Sequence, residues 1–357
     1  MRTRISSPSF FIGKGDDSLI SFGSGQPDLP PPKEIFEILP TYKAFKYGSI
    51  QGQDNLREAI SKQYPGSTSN DFVITNGASE ALDLVFRFIK RFWGKKILIP
   101  RPYYYSYPFN VEYAGLDLVY YDLNRGKINL DSLRPLLNDC SAILINSPSN
   151  PTGSIQDVEV LKEIESITQS KGIYIISDEV YKDLIYVREN YNFSGNHVIT
   201  INSFSKTFAM CGFRIGYLYS SHKEVVQAAI DMKTHTSMNT NILGQEMAYA
   251  ATQVPSDYLE EQVAIWKERR DLIYQGFLDL GLDLWKPEGA FYVFPYMGSD
   301  SNKVINELFY DHNIITYDGA WFGAPGRVRF SYALDITKIK EGLRRVGLYL
   351  KANPIQK

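Results

Sequence analysis

Short apolar segments that alternate with stretches of helical period are the feature that most constrains the fold of this chain. Hydrophobic residues recur at helical spacing in Ala78–Lys90 and Val158–Gln169, as in helices that pack one face against a core. Runs that are apolar on both faces and separated by helices predict a mostly parallel central sheet flanked by helices, an α/β fold. The apolar runs are Lys96–Pro100, Ala142–Asn146, Gly172–Ser177, His197–Ser203 and Ile215–Tyr219.

The pattern changes near Pro255, where a long charged helix begins. Two segments that resemble antiparallel strands and a last helix follow it: Gly289–Pro295, Val328–Ala333 and Ile336–Leu350. We therefore predict a large domain over residues 41–257 and a smaller α+β domain, formed discontinuously by residues 1–40 and 258–357.

Composition argues against several classes of protein. The 38 Lys and Arg residues nearly balance 40 Asp and Glu residues, which predicts no nucleic-acid partner. No apolar run approaches the ~18–20 residues of a membrane span. Two cysteines, Cys140 and Cys211, cannot form a disulfide framework, so we expect a cytoplasmic location. The four histidines are scattered and predict no metal site.

Charged residues follow two neighbouring apolar runs. Asp178 comes directly after Gly172–Ser177, and Lys206 comes shortly after Ser203. A carboxylate at a buried strand end needs a positive partner, the alternative being a helix N-cap. A partly buried lysine can become a neutral nucleophile, whereas most lysines are simply solvated. Arg214 lies between glycines that permit close approach to a bound group, or it forms an ordinary salt bridge.

Two further segments carry polar groups next to predicted strands. Asn150 lies in SPSNPTG after the run AILIN, a sequence that is first of all a turn signal. Gly77, Ala78 and Ser79 open the helix that follows VIT. Free amides and the dipole at such a helix start suit a phosphate group, although simple capping is the alternative.

The order of these segments resembles one enzyme family. TNGASEAL, PYYYSYP, NSPSNPTG, SDEVY, SFSK and GFRIGY, with SGQPD, GAFYVF and VRFSYA, are similar to the class I/II aminotransferases of fold type I that use pyridoxal 5′-phosphate (PLP), in their aspartate-aminotransferase-like branch. The resemblance spans about residues 20–350. It implies transfer of the α-amino group of an L-amino acid to a 2-oxo acid by a ping-pong mechanism, with aspartate-type, aromatic or broad specificity.

The resemblance also implies roles for individual residues. Lys206 is expected to bind PLP through its ε-amine and to move a proton at the substrate α-carbon. Asp178 is expected to keep the pyridine nitrogen protonated. Asn150 and Tyr181 match donors to the phenolic oxygen of the cofactor. Tyr104 stands where the family stacks an aromatic ring on the cofactor, often Trp, although core packing is its alternative.

The remaining expected contacts lie at the two ends of the cofactor site. Arg329 matches the arginine that binds the substrate α-carboxylate, with Asn150 beside it and Gly25 over the substrate; its alternative is the solvated face of a strand. Tyr47 matches a tyrosine that reaches the phosphate from the neighbouring subunit, which implies a homodimer with shared active sites. The phosphate is expected to contact Ser203, Arg214, Gly77, Ala78 and Ser79.

Two departures from the family pattern concern specificity and loop geometry. Ser79 stands where one branch of aspartate enzymes carries a lysine that binds the distal carboxylate, and serine cannot do so. Asp318-Gly319 replaces a common Pro-Gly pair. The alternatives to an aminotransferase are a PLP-dependent lyase or decarboxylase on the same fold, a PLP-binding transcriptional regulator and an inactive binding module. SGQPD begins about twenty residues into the chain, which disfavours the regulator.

Overall fold

A computed structural model describes residues 3–14, 18–187 and 190–355. The strands are β1 (Ile20–Ser21), β2 (Phe72–Thr75), β3 (Lys96–Arg101), β4 (Asp117–Asn124), β5 (Lys127–Ile128), β6 (Ala142–Asn146), β7 (Tyr174–Asp178), β8 (Val198–Ser203), β9 (Gly216–Tyr219), β10 (Tyr292–Val293), β11 (Ile314–Ile315), β12 (Tyr317–Asp318) and β13 (Val328–Ser331).

Helices separate most of these strands. They are α1 (Asp54–Ser61), α2 (Gly77–Phe88), α3 (Tyr107–Tyr113), α4 (Leu130–Leu133), α5 (Val158–Lys171), α6 (Phe204–Thr207), α7 (Lys223–His235), α8 (Ile242–Ala251), α9 (Ser256–Asp279), α10 (Ser301–His312) and α11 (Ile336–Ala352). Within the described ranges, no helix is both long enough and apolar enough to cross a membrane.

The central sheet has eight strands in the order β2-β9-β8-β7-β6-β3-β4-β5. Strands β8, β7, β6, β3 and β4 pair in parallel, whereas β9 runs antiparallel to both β2 and β8. The prediction of a mostly parallel α/β sheet is therefore confirmed, with β9 as an antiparallel insertion. Because β9 is reversed, the segment that enters it lies at the same edge as the carboxyl ends of β2 and β8.

Both faces of the sheet are buried, as the apolar runs predicted. On one face, Leu144 and Ile176 pack in a core with Leu82 and Val85 of α2. On the other face, Ile143 and Ile175 belong to a second core that contains residues of α5. Alternate residues of the same strands thus serve opposite layers, which explains why the runs are continuously hydrophobic.

A separate core is built from the C-terminal part of the chain. Helices α9, α10 and α11 cover a small antiparallel sheet of order β10-β13-β12. Phe11 and Phe22, from the N-terminal segment, belong to this core, whereas Ile35 packs in a core with α1 and α8. The division into residues 41–257 and a discontinuous small domain stays a prediction.

One predicted strand boundary is wrong for a clear reason. Gly172 was expected to begin a strand, but it ends α5 in the left-handed conformation at φ 68°. Glycine adopts that conformation without a steric penalty, so it is a common residue just past a helix. The strand β7 therefore begins at Tyr174 and includes Asp178 as its last residue.

Candidate active site

Polar residues end three adjacent parallel strands at one edge of the central sheet. Asn146, Asp178 and Ser203 are the last residues of β6, β7 and β8. Asn146 and Asp178 are directly paired in the sheet. Lys206 follows in the short helix α6. The carboxyl edge of the sheet therefore collects the polar residues, as α/β folds of this type do.

These residues line a cavity of about 330 Å³. Segments from both ends of the chain complete its walls, including Gly25 and Arg329. Eleven of the thirteen predicted site residues line it: Gly25, Ala78, Ser79, Tyr104, Asn150, Asp178, Tyr181, Ser203, Lys206, Arg214 and Arg329. The other two are Gly77 and Tyr47.

Lys206 places its amine inside this cavity. The Lys206 Nζ atom donates a hydrogen bond to the carbonyl oxygen of Gly25 at 2.5 Å and lies 3.7 Å from Cys211 Sγ. Desolvation on burial lowers the pKa of Lys206, and the positive charges of Arg329 and Arg214 lower it further. A larger fraction of the amine is therefore neutral than for a solvated lysine, as a nucleophile or general base requires.

Asp178 forms part of the cavity floor. One of its carboxylate oxygens accepts a hydrogen bond from the Tyr107 hydroxyl at 2.5 Å, and the other accepts one from the Val180 amide at 3.2 Å. Burial raises the pKa of Asp178 to about 6, against the lowering effect of these two hydrogen bonds. No helix begins directly after Asp178 in the described chain, so the helix-cap alternative is wrong.

Arg329 is buried in β13, with only 2% of its surface exposed. Its Nη1 atom donates to Asn150 Oδ1 at 2.9 Å, and Nη2 donates to the carbonyl oxygen of Gly23 at 2.5 Å. Its Nε atom is buried without a hydrogen-bond partner. The alternative of a solvated strand face is therefore wrong, because every residue of β13 is buried.

Aromatic rings surround the Arg329 guanidinium. Its central carbon lies 4.4 Å from the ring centre of Tyr292, 4.7 Å from that of Tyr317 and 4.9 Å from that of Phe322. Cation–π attraction and packing hold the planar group in one orientation. The arginine is thus a preorganised, desolvated cation that can form a two-point contact with a carboxylate.

Elsewhere in the cavity wall, Arg214 packs against the start of α2. Gly77 has φ 71°, and a Cβ atom there would lie 2.4 Å from Arg214 Nη2. Arg214 Nη1 donates to the Cys211 carbonyl at 3.1 Å, and Nη2 donates to the Asn76 carbonyl at 3.4 Å. Only glycine therefore lets the guanidinium approach the helix start this closely, although Gly77 itself does not line the cavity.

Ser203 has local structural contacts as well. Its hydroxyl caps α6 by accepting a hydrogen bond from the Ser205 amide at 3.1 Å. The same hydroxyl lies 2.8 Å from Ser205 Oγ and donates to the Ile215 carbonyl at 2.9 Å. Ser203 thus fixes the turn that leads from β8 to Lys206.

Tyr292 contacts two other residues of the cavity wall, Tyr181 and Gly25. The hydroxyls of Tyr181 and Tyr292 are hydrogen-bonded at 2.7 Å. A Cβ atom on Gly25 would lie 2.3 Å from the Tyr292 hydroxyl, so the entry segment needs a glycine there. Tyr104 packs edge-on against Tyr107, with ring centres 5.4 Å apart, which places it beside the residue that contacts Asp178.

Tyr47 lies apart from this cavity within its own chain. Its surface is 82% exposed, and the neighbouring Phe45 is 85% exposed. The predicted contact of Tyr47 with a neighbouring subunit requires such an exposed position, and the contact stays a prediction.

The structure adds cavity residues that sequence reasoning missed, chiefly Tyr107, Tyr292, Tyr317 and Cys211. Tyr107 and Tyr292 lie inside PYYYSYP and GAFYVF, so the motifs were a signal without identifying the residue. Cys211 and Tyr317 carried no signal, because their proximity to Lys206 and Arg329 depends on tertiary packing. No group of three or more His, Cys, Asp or Glu residues suited to a metal occurs in the described ranges.

Asp318, which replaces the proline of a common Pro-Gly pair, is buried and accepts hydrogen bonds. Its side chain accepts one from the Ala320 amide at 2.9 Å and one from Ser301 Oγ at 2.7 Å. It thereby caps the short 3-10 helix Gly319–Phe322, which carries Phe322 to Arg329. These hydrogen bonds order the loop without a proline.

Fold and cavity together define an α/β enzyme with a lysine of lowered pKa at the carboxyl edge of its main sheet. The model of the family "Aminotransferase class I and II" matches residues 17–346. The chain belongs to this family, and it is a transaminase.

Named relatives agree along nearly the whole chain. An aspartate aminotransferase of Thermotoga maritima is 32% identical over 96% of this chain and 93% of its own length. A probable aspartate/prephenate aminotransferase of Aquifex aeolicus is 32% identical over 93% and 91%. The crystal structure of an aspartate aminotransferase from Thermotoga maritima matches with a TM-score of 0.89 and 31% identity, covering 96% of this chain and 95% of that one. The comparisons do not favour a lyase or decarboxylase.

Proposed function

We propose that the enzyme binds PLP covalently at Lys206 and transfers the α-amino group of an L-amino acid to a 2-oxo acid by a ping-pong mechanism. The observation that carries this proposal is the placement of Lys206 and Asp178 in one cavity. Burial lowers the pKa of Lys206 and raises that of Asp178 to about 6. Such opposed shifts in a cavity are typical of acid–base sites.

The donor set around the cavity fits PLP. Arg214 offers a guanidinium for the phosphate, and the start of α2 offers helix-terminal amides. The two lie in contact because residue 77 is a glycine. No Lys, Arg or His in the described ranges forms an ion pair with Asp178, so its carboxylate suits a protonated pyridine nitrogen. Ala78, Ser79 and Ser203 also line the phosphate end.

When bound, the cofactor supplies an electron sink that stabilises negative charge at the substrate α-carbon. Lys206, once its amine is free, would take the proton from that carbon, and in the second half-reaction it would deliver a proton to the α-carbon of the 2-oxo acid. Tyr181 would donate to the phenolic oxygen of PLP, and Tyr104 would cover the ring. Asn150 accepts from Arg329 through Oδ1, which leaves its Nδ2 group as a second donor to that oxygen.

At the substrate end, Arg329 binds the α-carboxylate that every α-amino acid carries. Two of its donors already hold Asn150 and Gly23. The unpartnered Nε atom adds a donor whose burial without a bond is costly. Substrate binding relieves that cost, and Gly25 leaves space above the bound molecule.

For the substrate side chain, we propose that uncharged or aromatic amino acids react at least comparably with aspartate. Within the described chain, the cations that line the cavity are Lys206, Arg214 and Arg329, and the proposal gives each of them another task. Tyr105 and Tyr317 supply aromatic walls. The names of the relatives support aspartate as one substrate, and the name of the Aquifex aeolicus relative adds prephenate, which is larger.

The experiment that tests this function mixes purified holoenzyme with a panel of amino acids and follows the absorption of the cofactor. If the enzyme is an aminotransferase, several amino acids should convert the absorption band of the PLP form into that of the pyridoxamine form. Addition of a 2-oxo acid should then restore the band of the PLP form. Comparison of kcat/KM for aspartate, glutamate, phenylalanine and tyrosine then tests specificity. A preference for aspartate above ~100-fold, about 2.7 kcal/mol, contradicts the proposed side-chain pocket and indicates a cation from a partner subunit.

We also propose a homodimer with shared active sites and a cytoplasmic location. Support for the dimer comes from Phe45 and Tyr47, which expose 85% and 82% of their surface, and from Phe36 and Leu39, which are also exposed and lie a few positions earlier in the chain. Both cysteines are free, as a reducing compartment favours. Light scattering should give twice the chain mass of 40.7 kDa; a monomer that retains full activity contradicts the shared site.

A further inference from the structure

A second buried lysine lies behind the start of α2. Lys233, near the end of α7, has no exposed surface. Its Nζ atom donates to both carboxylate oxygens of Glu80, at 3.0 and 2.9 Å. It also contacts Ser237 Oγ at 3.1 Å and Thr240 Oγ1 at 3.4 Å. This ammonium therefore has a full set of acceptors, dominated by one carboxylate.

Glu80 connects this lysine to the predicted phosphate site. It lies in the first turn of α2, directly after Gly77, Ala78 and Ser79. Its Oε2 atom accepts hydrogen bonds from the Asn76 amide at 2.5 Å and from Asn76 Nδ2 at 3.1 Å. The carbonyl oxygen of the same Asn76 accepts from Arg214. Glu80 thus fixes Asn76, the residue that directly precedes α2. Asn76 in turn accepts a hydrogen bond from Arg214, the arginine proposed to bind the phosphate.

The negative charge of Glu80 lies next to the helix start that is proposed to bind a phosphate. A helix start attracts anions through its free amides and dipole, and a phosphate carries about −1.5 to −2 charges at neutral pH. A carboxylate in the same turn repels that phosphate unless a cation neutralises it. Lys233 is a cation in contact with both oxygens of Glu80. The ion pair therefore keeps the ordering hydrogen bonds of Glu80 and compensates its negative charge.

We propose that Lys233 is a positioning residue for cofactor binding, because it neutralises Glu80 and so makes the start of α2 a phosphate site. The inference rests on the proposed function, since it takes the phosphate of PLP to bind at α2 and Arg214. Lys233 acts only through Glu80 and Asn76, and it does not line the cavity. Its removal should therefore weaken phosphate recognition more than recognition of the ring and aldehyde.

The test compares dissociation constants of PLP and pyridoxal for the full-length apoenzyme. The two probes share ring and aldehyde and differ in the phosphate, so their ratio isolates phosphate recognition. In Lys233→Met, this preference for PLP should fall at least about 10-fold from the wild-type value. In the double variant Lys233→Met/Glu80→Gln, where the uncompensated charge is gone, most of the preference should return.

Arg270→Met is the matched control. Arg270 has 2% exposed surface and is paired with Asp271 at 2.9 Å, but it lies in α9 and does not line the cavity. Its loss should lower stability and leave the PLP-to-pyridoxal ratio within about twofold. An equal fall of that ratio in Arg270→Met and Lys233→Met shows a merely structural effect and overturns the inference.

The remaining outcomes separate the inference from the function on which it rests. If the wild-type apoenzyme does not prefer PLP to pyridoxal, the proposed phosphate site itself is wrong. If the wild type shows the preference and Lys233→Met retains it, only the inference fails. Should Lys233→Met not fold, Glu80→Gln alone decides: its amide oxygen can still accept from Asn76, so the preference should hold or rise, and a fall beyond about threefold overturns the charge argument.

Discussion

Two lysine–carboxylate sets of this molecule are treated in opposite ways. Lys233 and Glu80 are bonded through both carboxylate oxygens. Lys206 and Asp178, in the cavity, form no ion pair with any described residue; Lys206 contacts a carbonyl and a thiol, and Asp178 a hydroxyl and an amide. One set is compensated within the protein, and the other is not.

The difference shows which charges the protein holds for a ligand. Burial without a partner is costly and shifts a pKa toward the neutral form, as it does for Lys206 and Asp178. A protein gains nothing in stability from such groups, so their presence in a cavity indicates a function. A fully bonded pair behind the cavity wall indicates a positioning role instead.

The largest effect is expected for Lys206→Ala, which removes the uncompensated cation. Turnover should fall by more than ~10⁴-fold, because acid–base catalysis alone contributes about 10²–10⁴ and the covalent attachment is lost as well. The folded protein should still bind PLP. Borohydride reduction and peptide mapping of the wild type should place the label on Lys206, with Lys162→Ala as a surface control. A label on another lysine contradicts the assignment.

Asp178→Ala removes the uncompensated anion and should cost about 10³-fold in rate, or about 4 kcal/mol of barrier. Affinity for PLP should fall much less, because the phosphate and ring contacts remain. Single-turnover kinetics with one amino acid measures the rate, and Glu341→Gln on the exposed face of α11 serves as the control. A near-normal rate in Asp178→Ala would place this carboxylate with the structural set.

Arg329→Lys keeps a charge at the substrate end but loses the planar fork held between aromatic rings. We expect kcat/KM to fall about 10- to 100-fold for every amino acid tested, by similar factors, because all of them carry the α-carboxylate. Steady-state kinetics across acidic and aromatic substrates measures this. A loss confined to one substrate class is incompatible with α-carboxylate binding and points to side-chain recognition.

The smallest effect concerns the stability of the apoenzyme. Burial raises the pKa of Asp178 from its ordinary value of 3.8 to about 6, so the native state loses stability as pH rises from about 4 to above 6. Asp178→Asn lacks this penalty, and at pH 7.5 its free energy of unfolding should exceed the wild type by about 1–3 kcal/mol more than at pH 4.5. Denaturant titration at the two pH values measures the difference.

The holoenzyme sharpens that test, because bound cofactor supplies the missing partner. With PLP present, Asp178→Asn should become the less stable of the two proteins. A stability difference in the apoenzyme that does not change with pH would show that the Asp178 carboxylate is not held at a cost.

Much of the fold could be predicted from sequence because the relevant signals are local. The apolar runs Ala142–Asn146 and His197–Ser203 became the buried strands β6 and β8, the second of which begins at Val198, since hydrophobicity on both faces suits a strand buried on both sides. The reversal of β9 could not be predicted, because direction within a sheet leaves no trace in a run of apolar residues. The boundary at Gly172 was misplaced because glycine suits both a strand start and a helix end.

The candidate site divides in the same way. Asp178 and Lys206 could be found because each lies at or just past the end of a strand, and strand ends meet at one sheet edge. The aromatic rings around Arg329 and the contact of Cys211 with Lys206 could not be predicted. These contacts depend on the conformation of loops, which the sequence pattern does not give. The roles of Tyr104, Tyr181 and Arg329 came from resemblance to the family and not from spacing.

The sequence by itself determined the layers of this protein and the positions of its chemically active residues along the chain, because hydrophobic periodicity and strand ends are properties of neighbouring residues. Only the tertiary structure decided which charges meet. Lys233 and Glu80 are 153 positions apart and are neutralised, whereas Lys206 and Asp178 share a cavity and are not. Charge compensation depends on distance and burial, and folding alone sets both.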